Sequence, residues 1–196
     1  MALVRFDAAG GGEGQSGWDH TVAFGAPLLV VWVWYGSAGS VTATYNGISM
    51  TRLLDAVNYF SVFVLVNPTP GTHAIALNVT ADAVFSGSFF GAASISSIVT
   101  AYLYGNFTLV TPTAKNERSM LLDGEIGSAS GPYAGQTARG LGGVTASTKP
   151  APAEAWNTPV SMQWYLTSGM WYYALGMSVD APDEGAPIGM TPILMH

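Results

Sequence analysis

Residues 28–35 read LLVVWVWY, eight apolar side chains in succession. A strand with one wet face alternates apolar with polar residues, and this run does not. Extended, it puts Leu29, Val31, Val33 and Tyr35 on one face and Val30, Trp32 and Trp34 on the other. One face must build a core. The other needs a second layer, or a partner chain, to keep two tryptophans out of water. That demand favours a protein that assembles over one that catalyses.

The β signal repeats along the chain. Apolar or alternating segments bounded by turn residues predict strands at 18–24, 28–35, 41–45, 48–54, 59–66, 73–80, 87–97, 118–126, 161–167 and 170–180. Asn46-Gly47 between two such segments is a strong hairpin signal, because a type I′ turn needs positive φ at both central residues. Ser168-Gly169 predicts a second hairpin. No amphipathic helix is legible beyond one short turn at 151–156, and residues 128–158 read as long loops with an embedded edge strand. Ten strands and no helix predict a single all-β domain over 18–180, a two-sheet antiparallel β-sandwich of jelly-roll type. The glycine-rich residues 1–17 then form a flexible arm, and residues 181–196 an extended C-terminal tail.

Composition removes several functions. Six Lys and Arg, scattered against twelve Asp and Glu, give a net charge of −6 and no basic stripe for nucleic acid. No apolar run reaches the roughly 20 residues of a membrane-spanning helix. The N-terminal stretch carries no signal-peptide-like run, so synthesis in the cytoplasm without a leader is expected. The absence of cysteine excludes disulfides and thiolate chemistry.

Catalytic patterns are sparse. Residues 12–17 match G-x-G-x-x-G, but a strand-like segment follows where a dinucleotide site needs a helix, so a linker is expected. Asp19 and His20 are adjacent and would point to opposite faces of a strand. Asp123 and Glu125 would share a face, as a glycosidase pair or calcium ligands would require, but an ordinary solvated edge is expected. Asp180, Asp183 and Glu184 read as a solubilising cluster. No cofactor or metal is called for, and the chain is expected not to be an enzyme. The aromatics carry the remaining signal, since Tyr and Trp are enriched at interfaces and can stack on glycan rings. Alternation places some of Trp32, Trp34, Tyr165 and Tyr172 on an outer face. These, with Leu3 and Val4 in the arm and Ile193, Leu194 and Met195 in the tail, are the candidate interface residues.

Several segments also match a known pattern: His20-Thr21-Val22, then Leu and Val at 28–31, then VTATYNGISMT at 41–51. Leu65-Val66-Asn67-Pro68 with the Gly71-Thr72 turn, SFFGAASISS, MQWYL and a final aromatic strand follow. This order resembles a β-sandwich domain of actinobacteriophage virion proteins over about residues 18–180. The resemblance implies a structural subunit of a phage particle, a minor tail or tail-tip protein, with a capsid decoration protein as the alternative. Its implied partners are other virion proteins and further copies of itself. A carbohydrate-binding module for host-surface glycans is the rival from another class. The implied location is the virion.

Overall fold

Strand β1 spans Arg5–Val22 and is followed by β2 (Leu28–Trp34), β3 (Ala43–Tyr45), β4 (Ile48–Ser49), β5 (Thr51–Ala56), β6 (Phe60–Val66) and β7 (Gly71–Phe90). The second half supplies β8 (Ser94–Val110), β9 (Thr113–Asn116), β10 (Met120–Ile126), β11 (Ala129–Pro132), β12 (Thr137–Ala138), β13 (Thr145–Pro150), β14 (Trp156–Pro159) and β15 (Met162–Asp180). The computed structural model describes residues 3–36, 40–56, 60–126, 129–140, 145–153 and 155–183, and every strand pairing is antiparallel.

The first sheet runs β4-β3-β7-β2-β6-β5, with β1 along the other side of β7. Its two outermost strands, β4 and β5, are separated in the chain by Met50 alone. The sheet therefore curls until its edges nearly meet, close to a barrel. Leu29, Val31, Val33, Tyr45, Ile75 and Val84 fill the interior. The Asn46-Gly47 turn closes the β3–β4 hairpin with φ of 51° and 74°, as the dipeptide predicts.

The second sheet runs β11-β15-β10-β13-β12, with β8 on the other side of β15. The outer face of β2 meets this sheet. Leu28, Val30, Trp32, Phe60 and Phe85 share one buried cluster with Leu122, Ala146, Leu175, Met177 and Val179. Trp32 stacks on Phe85 at 5.9 Å and meets Phe60 edge-on at 6.0 Å. Its indole lies flat on Gly124, where a Cβ would sit 2.7 Å from the ring. The far face of the second sheet is covered by the β9–β14 ribbon, which packs Ala114, Ala155 and Val160 against Leu121 and Ala174.

Four expectations change. Residues 5–17 are strand rather than arm, because β1 pairs with β7 along its length. The glycines there allow close approach, not looseness: a Cβ on Gly11 would lie 2.2 Å from the Val84 carbonyl oxygen. The expected strand at 87–97 is cut at residues 91–93, where Gly91 takes φ 66° and the chain passes from the first sheet to the second. Ser168-Gly169 makes no hairpin. β15 continues through it, and Tyr165 opposite Phe107 is followed by Met170 opposite Gly105, so the extra residues form a bulge. Within the stretch read as loops, β13 is an interior strand between β10 and β12.

Candidate interaction surface

Strand β8 is 17 residues long, contains no charged residue, and among the described residues pairs only with β15. Its facing stretch of β15, from Met162 to Asp180, carries one acidic residue, the buried Asp180 opposite Ser94. The bulge fixes which side chains share a face. Before it, Val99 and Ala101 turn toward the cluster under the β9–β14 ribbon; after it, Val110 turns the same way with Met162. Tyr102 and Tyr104 before the bulge, and Phe107 and Leu109 after it, therefore turn to the opposite face. Tyr165, directly across from Phe107, joins them.

That face starts as core and ends as surface. Ile98 and Tyr173 pack against the inter-sheet cluster, and Trp34 meets Tyr173 at 6.5 Å. Tyr102, half exposed, stacks on Tyr173 at 4.3 Å. Farther along, Tyr102, Tyr104, Phe107, Leu109 and Tyr165 are 36–63% exposed. Tyr133 stacks on Tyr165 at 4.2 Å. Hydrogen bonding to Tyr133, ahead of burial, raises the Tyr165 phenol above its ordinary pKa. A long, neutral, aromatic edge is what soluble proteins ordinarily blunt with Lys, Pro or a covering segment.

The candidates from sequence divide sharply. Trp32 is fully buried, and Trp34 is half-buried against Tyr173; neither lies on an outer face, because the first and second sheets meet over them. Tyr165 is on the exposed face. Tyr172 pairs through its backbone with Leu103, but its side chain lies outside the described residues. Val4 is buried in the inter-sheet core, its N–H donating to the Arg118 carbonyl at 3.0 Å, whereas Leu3 is exposed. Ile193, Leu194 and Met195 lie outside the described residues. Tyr102, Tyr104, Phe107 and Leu109 went unread, although seventeen consecutive uncharged residues at 94–110 were a signal available in the sequence.

Two buried polar sites complete the picture. In the first, Trp18 Nε1–H donates to Ser86 Oγ (2.9 Å), Ser86 Oγ lies 2.9 Å from His20 Nδ1, and His20 Nε2 lies 3.1 Å from Ser88 Oγ. Ser88 Oγ donates to Asp7 Oδ2 at 2.7 Å, which also accepts from the Ala23 N–H. With Ser88 committed to Asp7, the proton between Ser88 and His20 must come from Nε2–H. Burial lowers the His20 pKa to about 4, with Asp7 opposing in part, so the ring is neutral and Nδ1 accepts from Ser86, which also accepts from Trp18. The nucleophile–base–acid order of a hydrolytic triad is absent from this relay, since a serine stands between His20 and Asp7.

In the second site, Asp123 accepts from Ser147 N–H (3.0 Å), Ser147 Oγ (2.5 Å) and Gln136 Nε2 (3.2 Å). Burial raises its pKa to about 7, against the pull of the donors on Ser147 and Gln136. Asp123 and Glu125 are both buried, so the expected solvated edge is instead an interior face of β10. The register explains it: β10 has β15 on one side and β13 on the other. Asp180 is likewise buried, accepting from Ser119 and Ser178. Among the described residues no three His, Asp or Glu side chains gather as a metal site, and no helix is long and apolar enough to cross a membrane.

Compared with models of protein families, with curated proteins and with solved structures, the chain matches none.

Proposed function

We propose that this chain is a non-enzymatic structural subunit of a bacteriophage virion, a minor tail or tail-tip protein, with a jelly-roll-type sandwich as its framework. The observation that carries the assembly part is the neutral aromatic face of β8 and β15. Apolar surface left beyond the core of a folded chain marks a place for another molecule. The groups that could do acid–base work support a structural reading in another way. His20, Asp123 and Glu125 are each 1–2% exposed, and His20 and Asp123 are engaged in interior hydrogen bonds that give no approach to a substrate. The phage context comes from the sequence pattern alone.

Antibody against the chain, applied to gradient-purified particles of the phage that encodes it, tests the proposal. Labelling at the tail is expected; labelling over the capsid moves the assignment to a decoration protein. Recovery of the chain solely in particle-free fractions overturns the reading. A glycan-binding role is favoured by one observation, the exposed Tyr165 ring stacked on the half-buried Tyr133, which resembles a ring platform. Retention of the chain on a column of host cell-wall polysaccharide, lost on Tyr165→Ala, would support it.

A further inference from the structure

We infer that β8 is a self-association edge, at which two copies of this chain meet through their β8 strands. The inference rests on the assembly reading and names its first partner.

Three observations select a second copy. The first is hydrogen bonding. β8 spends one edge on β15, and among the described residues no strand takes the other. A second β8, run antiparallel about a two-fold axis, offers the same row of donors and acceptors in return.

The second is charge. Two copies each carrying −6 repel at any acidic meeting point. β8 contributes no charge, and the one acidic residue opposite it on β15, Asp180, is buried, so copies can meet there without that cost. A basic partner, by contrast, would find nothing on this face to be steered by.

The third is the side chains along the edge. In an antiparallel β8–β8 pair Tyr104, Phe107 and Leu109, 36–63% exposed, meet their counterparts as cross-strand neighbours, the unit that stabilises paired strands, while Tyr165, one strand back on β15, stays outside the seam. The face is also mixed in the way interfaces are: tyrosine rings for contact, with hydroxyls that tolerate water at the rim.

Sedimentation velocity on the full chain tests this. At tens of micromolar the expected species is about twice the 20.4 kDa chain mass. Tyr104→Glu/Phe107→Glu sets like charges against each other across the axis and should return the 20.4 kDa species, with an unchanged circular dichroism spectrum and a melting temperature that no longer depends on concentration. Phe24→Lys, at a 92% exposed position on the turn between β1 and β2, should leave the dimer intact. If the double Glu variant does not fold, Tyr104→Ser/Phe107→Ser carries the same test, with association weakened at least tenfold.

A monomer at every concentration overturns the inference, as does a dimer indifferent to the β8 variants. A monomer that dimerises once residues 184–196 are removed also overturns it, by making the chain's own tail the occupant. A monomer that nevertheless labels particles leaves the virion reading standing and removes only the self-association.

Discussion

Strands β2 and β8 are both uncharged, yet among the described residues β2 is enclosed on both edges and both faces while β8 is an edge of its sheet. β2 has β6 and β7 on its two edges, the curled interior of the first sheet on one face and the second sheet on the other. Among the described residues β8 has one strand neighbour, and Tyr102, Tyr104, Phe107 and Leu109 along it are exposed. The difference teaches that exposed apolar side chains require cover without specifying whose. For β2 the chain supplies it. For β8 the proposed source is another copy.

The comparison breaks most forcefully at Trp32. Trp32→Ala removes the ring that joins Phe60, Phe85 and Gly124 across the two sheets, and should cost about 3–5 kcal/mol in urea unfolding. Tyr104→Ala, an equally aromatic position on β8, should change unfolding of the monomer by less than ~0.5 kcal/mol while weakening association. Equal costs at the two sites would erase the distinction drawn between them.

Gly124→Val comes next. Any Cβ there enters the Trp32 ring, which has neighbours on its other side, and overpacking of this kind costs about 1–3 kcal/mol. The double variant with Trp32→Ala should cost less than the sum of the two, because the clash disappears with the ring.

The pH dependence sharpens the contrast between the two buried polar sites, one on each sheet. His20 has a folded pKa of about 4, below the ordinary 6.5 of an imidazole. Its contribution is therefore complete above about 6.5 and is lost as pH falls toward 4. Asp123 has a folded pKa of about 7, above 3.8. Its contribution is complete below about 3.8 and is lost as pH rises toward 7. Across the shared interval the two slopes oppose each other. Asp123→Asn should steepen the rise of stability between pH 4 and 6.5 by up to ~1.4 kcal/mol per pH unit. Denaturant midpoints measured at half-unit steps check this, and an unchanged profile would place Asp123 outside the account.

Much of the architecture was legible in the sequence where the pattern was local. The Asn46-Gly47 turn, the β2 run and the alternating end of β15 each declare themselves within a few residues. What was not legible depends on contacts distant in sequence. The glycines of 10–12 look like linker until β7 is laid against them, because closeness to Val84 is what requires them. Ser168-Gly169 has hairpin chemistry, but β8 and β10 pair with β15 beyond it and hold the strand to a bulge. Asp123 and Glu125 look solvated until β13 and β15 flank them. Trp32 and Trp34 were correctly identified as needing cover, and incorrectly sought on the surface, because the second sheet was the cover. The exposed face at Tyr102 to Leu109 stayed hidden for a related reason: the bulge reverses the parity of β8, so no simple alternation marks it.

Amide hydrogen exchange across β8, measured at two protein concentrations, tests the central claim most directly. In a lone chain the N–H groups of β8 that point away from β15 face solvent and exchange rapidly. Pairing with a second β8 protects them. The account predicts that these amides, and not those of β2, slow by at least tenfold between 1 and 100 micromolar chain, on the order expected for a standard interface. Identical exchange at both concentrations would contradict it.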